Sequence, residues 1–379
     1  MKELALLFLR LGTTAFGGPA AHIAMMEDEV VRRRGWLTRE RFLDLLGATN
    51  LIPGPNSTEM AIHIGHHEAG WAGLVIAGVC FIVPASLVTL ALAWAYVRFG
   101  ARPQAVALLY GVKPVIIAVV LQALWGLART AIRTKPLAAL ALLAVAANAA
   151  GAGEILVLLA AGVIAAAAHV VTACAPRRPC ALAAWAGSNV PITGVAAQAA
   201  AAAPFSLTAL GLFFLKVGSI LFGSGYVLLA FLRADLVDRW HWLTDGQLLD
   251  AVAMGQVTPG PVFSTATFIG YLLAGVPGAV VATAGIFLPS FVFVAISAPV
   301  VVRLRRSPTA GAFLDGVNVG SLALMAVVTA SLGRAAITDV PTALLATASA
   351  YLLLRVRLNS VWLVVGGALI GLAVAVLGR

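Results

Sequence analysis

The chain has 379 residues, of which 61% are hydrophobic and 11% charged, against about 25% charged in a soluble domain. With a mean hydropathy of +1.00 this excludes a water-soluble globular protein and gives a polytopic membrane chain. The net charge of +10 is spread over short clusters between apolar runs, which is topology signalling rather than a nucleic-acid surface.

In chain order, the first expected span, Leu4 to Met26, carries Arg10. The acid beside Lys2 and this internal arginine argue against a signal peptide. Phe42 to Gly65 is interrupted by Pro53-Gly54-Pro55, which ends a helix because proline lacks a donor and clashes with the preceding turn. Uncharged runs follow at Trp71 to Val97, Pro136 to Gly153 and Ile155 to Ala175, with Pro103 to Ala128 carrying only Lys113. Residues 176–206 read as a linker, and its Cys174-to-Cys180 neighbourhood as reduced and cytosolic. Leu207 to Leu232 carries Lys216, and Leu248 to Gly270 is interrupted by Pro259-Gly260-Pro261. Val276 to Val302, Ser307 to Gly333 with Asp315, Val340 to Leu354 and Leu358 to Gly378 complete the expected spans.

The chain repeats itself. FLRLGTTAFGG aligns with FLKVGSILFGS, RGWLTRERFLD with WHWLTDGQLLD, and NLIPGP with QVTPGP; 16 of 48 positions from Phe8 to Pro55 are identical at an offset of 206. Downstream the offset becomes 205, so Ala69-Gly70 meets Ala274-Gly275. Two units follow, 1–175 and 207–379, joined by 176–206. Equivalent loops exchange their basic richness: Arg32, Arg33, Arg34, Arg39 and Arg41 are thinned to Arg233 and Arg239, whereas Arg98 and Arg102 become Arg303, Arg305 and Arg306. Basic residues favour the cytoplasm, so equivalent loops lie on opposite sides. The expectation is an all-α membrane protein of two inverted repeats, each with about five spanning helices and one re-entrant Pro-Gly-Pro hairpin.

FGGPAAHIAMMEDEVVRRRGWLT, LIPGPNSTEMAIHIG, HWLTDGQLLDAVAMGQVTPGP and FLDGVNVGSLALM resemble the chromate ion transporter (CHR) family over nearly the whole chain and both repeats. The resemblance implies a two-domain secondary transporter of a bacterial inner membrane that expels chromate on the proton motive force. Sulfate is a dianion of the same tetrahedral shape and stays open as a substrate, with uptake as the alternative direction. A homodimer is an open arrangement, and no cofactor, nucleic acid or metal is expected as partner. Asn50 stands where the second half has Gln256, and Ser224-Gly225 where the first has Gly18-Pro19, so the halves differ at their motifs.

A dianion at membrane depth needs positive charge and donors. Arg10 and Lys216 hold the same repeat position within apolar runs, and Lys113 is a third buried cation. A helix starting after Pro55 would offer amides at Asn56, Ser57 and Thr58, with Ser264 and Thr265 as second-half counterparts. Gly17, Gly18 and Gly223 would let backbone approach the ion or let helices pack closely. Glu59, which lacks an acidic counterpart in the second repeat, and Asp315 are candidates for proton coupling. His22 reads as a bundle histidine, and His63, His66 and His67 as a pH-sensitive cluster. The chain has neither a nucleotide-binding GxxxxGK[ST] nor an H-E-x-x-H, and no nucleophile–base pair marks an enzyme.

Overall fold

A computed structural model describes residues 1–16, 18–174, 204–222, 227–304, 307–356 and 358–377. The described residues form helices and no strand. The first repeat holds α1 (Lys2–Thr14), α2 (Gly18–Glu27, continued by a π turn Asp28–Arg33), α3 (Arg39–Thr49), α4 (Asn56–Phe99), α5 (Pro103–Ala131), α6 (Lys135–Ala149) and α7 (Glu154–Cys174). The second holds α8 (Leu207–Ile220), α9 (Leu228–Leu232, continued by a π turn Arg233–Arg239), α10 (Asp245–Val257), α11 (Thr265–Leu304), α12 (Pro308–Ala336), α13 (Val340–Tyr351, continued to Val356) and α14 (Ser360–Leu377). Apart from residues 204–206, the expected linker lies outside the described residues.

By length and composition, five described helices are apolar enough to cross a membrane. Their outer faces carry exposed Trp71, Leu87, Trp125 and Leu159, an arrangement that only a lipid solvent tolerates on this scale. The protein is an all-α, multi-pass membrane protein.

The first expected span of each repeat is not one helix. α1 stops at Thr14, Ala15 is extended (φ −80°, ψ 99°), and α2 restarts at Gly18 with φ 79°, a value that favours glycine. The glycines and Pro19 of the FGGP sequence end the helix as a Pro-Gly-Pro does. α2 then runs back along α1: Arg10 pairs with Glu29, and Glu3 lies 3.9 Å from Arg34. In the second repeat α8 ends at Ile220, Leu221 is extended (φ −79°, ψ 104°), and Lys216 pairs with Asp235. Each repeat therefore opens with two broken helix pairs, whereas the Pro-Gly-Pro motifs mark only one.

α4 and α11 each contain a reversal. Ala69 and Gly70 leave helical geometry, as do Ala274 and Gly275, and the two glycines take φ 59° and 62°. Gly65 lies against the Gly73 carbonyl, and Gly270 against that of Gly278. Eight residues of straight helix would separate such a pair by about 12 Å. Each of these helices is thus a hairpin of a short arm (56–68, 265–273) and a long arm (71–99, 276–304).

The repeats interlock. α5 packs on α13 and α14 of the second repeat, while α12 packs on α6 and α7 of the first. Both seams are built on small residues, Gly111 on Gly367 and Gly316 on Ala161, so close that a Cβ at either first position would strike a carbonyl. α5 and α12 meet each other with Gly333, the counterpart of Ala128, beside Ile117. Tyr110, near the start of α5, donates a 2.7 Å hydrogen bond to Asp339, just past the end of α12. A twofold along these helices would place equivalent residues at equal height. Heights are reversed instead, so α5 and α12 run antiparallel, in keeping with the charge exchange between loops.

Two outcomes follow from this packing. Cysteines at 117 and 333 should form an oxidative cross-link, while cysteines at 117 and 322, which a parallel repeat would bring level, should not; the reverse result would reject the antiparallel relation. Gly111→Val and Gly316→Val should each destabilise the purified protein by roughly 1–3 kcal/mol or more through overpacking. Gly126→Val, whose added side chain meets open space, should leave the unfolding temperature near wild type.

Candidate functional site

The site is assembled from the broken ends of helices. Four breaks, near residues 15, 54, 221 and 260, meet in pairs, and each pair combines the two repeats. The Gly54 amide donates to the Leu221 carbonyl at 2.7 Å, and the Gly260 amide donates to the Ala15 carbonyl at 2.8 Å. These are the same bond twice, at the repeat offset of 206. Gly54 and Gly260 stand at φ 139° and 91°, conformations L side chains rarely adopt. Space is equally restrictive. A Cβ on Gly260 would press on Ala85 and the Gly12 carbonyl; one on Gly54 would strike Glu59 and Ser290. Ala85 and Ser290 are the midpoints of the long arms of α4 and α11, so the breaks lie half-way along the central helices. Thr89 Oγ1 donates across the same region to Thr258 Oγ1 at 3.4 Å.

The helix starts at the breaks are partly self-satisfied. The Thr58 and Glu59 amides both donate to the Pro55 carbonyl, and the Ser264 amide donates to that of Pro261. Thr58 is therefore not a free amide, and the open positions are those of Asn56 and Ser57. The Asn56 side chain donates to Asn50 Oδ1 at 2.8 Å. Thr265 gives its hydroxyl to the Val262 carbonyl and packs on Gly255. Gly18 holds the start of α2; Gly17 and Gly223 lie outside the described residues.

The three cations all have acidic partners. Arg10, half exposed, bonds Glu29, which Arg33 and Arg34 also reach at 3.2 and 3.4 Å. Lys216 bonds Asp235, which Arg239 reaches at 3.5 Å. In both clusters the central acid is buried; at the first Arg33 also pairs with Asp28 at 2.8 Å and Arg34 with Glu3, so three arginines meet three acids, whereas at the second Lys216 and Arg239 share Asp235. Lys113 lies 3.2 Å from buried Asp250, whose other oxygen accepts from Tyr96 at 2.8 Å. The sequence reading missed Glu29, Asp235 and Asp250. The first two could have been found, because each stands 19 residues after its cation in both repeats. Asp250 has no such local signal, since Lys113 belongs to the other repeat. Asp315 is exposed on α12 and is not brought to this site.

Glu59 is fully buried at the first break, and neither carboxyl oxygen has a hydrogen-bond partner. Ser290 Oγ, Thr58 Oγ1 and His63 Nε2 are also buried and unpartnered. His22 is buried against the Phe81 ring and its Nε2 lies 3.1 Å from the Ala15 carbonyl, the one that also accepts from Gly260. A carbonyl only accepts, so this nitrogen carries the proton. His66 meets Trp71 edge to face, and His67 lies 3.2 Å from Glu68, both at the α4 reversal and away from the breaks.

Known transport proteins resemble the chain over most of its length. A chromate transport protein of Cupriavidus metallidurans is 36% identical over 382 residues, covering 98% of this chain and 92% of the relative. One of Pseudomonas aeruginosa is 33% identical over 88% of this chain and 82% of its own length. The uncharacterized transporter YwrA of Bacillus subtilis is 32% identical but covers only 34% of this chain, with 73% of its own length. No solved structure matches significantly. The family described as chromate transporter matches twice, over residues 2–168 and 208–372, once for each repeat, and the chain belongs to that family.

Proposed function

We propose that the chain is a secondary transporter, not an enzyme, that moves chromate outward across the bacterial inner membrane on the proton motive force. Chromate as substrate rests on the relatives named for chromate transport. The observation that carries a transport mechanism is the paired exchange of amide and carbonyl between the breaks of opposite repeats. Irregular backbone at membrane depth is tolerated where it lines a protein-enclosed or watery path. Placed on a twofold between inverted repeats, such breaks are where substrate sites of this architecture form.

Physical chemistry favours export. Membrane potential, negative inside, is worth about 2.3 kcal/mol per charge per 100 mV, and a dianion leaving the cell gains twice that. In this reading the cations Arg10 and Lys216 draw the anion toward the breaks. The hydroxyl of Ser264 and the cation Lys113 then replace part of its water shell.

The test is chromate uptake into inside-out vesicles, energised or with the potential collapsed, with sulfate and molybdate competing. Energised uptake that chromate saturates and the others inhibit weakly is the expected result. Accumulation of sulfate in right-side-out vesicles, with no chromate flux in either direction, would replace export with sulfate uptake. Arg10→Ala and Lys216→Ala should each weaken chromate affinity by about tenfold, or 1.4 kcal/mol. Arg10→Lys, which keeps charge, should retain most of it. Equal losses in Arg10→Ala and Arg10→Lys would assign the arginine to holding Glu29 rather than to attracting the anion.

A further inference from the structure

The two Pro-Gly-Pro breaks are built alike and furnished differently. The short arms of α4 and α11 make the same glycine contact at Gly65 and Gly270. Counting six residues back from each gives Glu59 in the first repeat and Ser264 in the second. The one-residue shortening ahead of Ser264 is absorbed by the tight 3-10 turn Val262–Ser264. Both side chains are fully buried and without a hydrogen-bond partner. The opposing wall differs in the same sense. Ser290 of α11 faces Gly54, and its counterpart Ala85 of α4 faces Gly260. One break thus encloses a carboxyl and a hydroxyl, the other a hydroxyl and a methyl.

We propose that the breaks have divided the work of transport: Glu59 at the first break binds the coupling proton, and the anion is held at the second. The inference rests on the transport reading above and adds the assignment of each ion to its own repeat. A dianion beside Gly54 would share its space with the Glu59 carboxyl, whose oxygen lies where a Cβ on that glycine would stand. Among the described residues, the atoms nearest a Cβ on Gly260 are those of Ala85 and the Gly12 carbonyl, none of them a carboxyl oxygen. The neighbours of Glu59 give no charge compensation. From α11 it faces Ser290, and on its own arm Thr58 and, one turn on, His63, whose Nε2 is unpartnered. From α3, Arg41 acts electrostatically on His63. Among the described residues no cation is within ion-pair distance of Glu59.

A carboxylate buried without donors costs several kcal/mol, and the protonated acid far less. The closed first break therefore contains a neutral Glu59. The carboxylate forms when that break opens to water and its proton passes to the solvent on that side. The anion-loaded protein then returns with that break hydrated around the carboxylate, and Glu59 takes a proton from the opposite side before the anion-free protein closes again. One proton crosses per cycle, opposite to the anion, with no other group oxidised or reduced.

Two measurements test this. Infrared difference spectra of the purified wild-type protein in lipid should contain the carbonyl band of a buried protonated carboxylic acid that titrates and is missing from Glu59→Gln. In proteoliposomes at clamped potential, wild-type chromate flux should respond to an imposed pH gradient. Glu59→Gln should bind chromate with unaltered affinity and give a flux indifferent to the gradient, and Glu59→Asp should restore a response. Ser264→Ala should weaken chromate affinity. A gradient response in Glu59→Gln equal to wild type would overturn the proton assignment. A loss of chromate affinity of tenfold or more in Glu59→Gln, at matched folding, would overturn the division by placing the anion at the first break. If the wild-type protein moves no chromate, the transport reading fails by itself; the infrared band still decides, present or absent, whether Glu59 carries an exchangeable proton.

Discussion

The structure depends on a requirement of lipid: every backbone amide and carbonyl must find a partner inside the protein. A helix that stops at mid-depth violates this, and here four do so. None of these breaks closes on itself. The Gly54 amide is satisfied by Leu221 and the Gly260 amide by Ala15, each from the other repeat. The left-handed glycines, the bracketing prolines and the small residues at 12 and 85 follow from bringing backbone to backbone at those points. The interlocking of α5 with α14 and of α12 with α7 repeats the principle at the periphery.

Charge is arranged by the same symmetry and then released from it. Arg10 with Glu29 and Lys216 with Asp235 are one motif written twice. Each pair joins a broken helix to its returning partner, so burial of the acid is compensated locally. The asymmetric groups, Glu59, Ser290, His22, Lys113 and Tyr96, sit where the copies no longer match, while Asp250, the partner of the last two, keeps its counterpart Asp44. Duplication supplies a scaffold with two equal positions, and divergence gives them different chemistry.

The sequence carried much of this. Apolar runs gave the helices, the Pro-Gly-Pro pairs gave two breaks, and the loop charges gave an antiparallel relation that the contact of Ile117 with Gly333 reflects. Two things stayed hidden for physical reasons. The breaks after Thr14 and Ile220 were concealed because hydropathy continues unbroken through Ala15-Phe16 and Leu221-Phe222, while the backbone does not. The partners of the buried cations were concealed because an ion pair leaves no local pattern when its members lie on different helices. Only comparing the repeats for coincident acids would have raised Glu29 and Asp235. The crowding of Gly54 by Glu59 and Ser290 is a tertiary fact with no trace in spacing.

The crossed bond between breaks has a consequence for biogenesis. The acceptor of Gly54 is Leu221, 221 − 54 = 167 residues later in the chain. At translation rates of about 5–20 residues per second the first repeat waits roughly 10–30 s for its partner. During that interval the amide of Gly54 lacks the acceptor it finds in the second repeat and the carbonyl of Ala15 has only His22, and hydrocarbon offers no substitute. The nascent half must keep its broken pairs near the headgroup region or against an insertion factor until the second half arrives. Burial of the breaks is thus a late, post-translational step, and the ribosome delivers this molecule as two wet halves that become dry together.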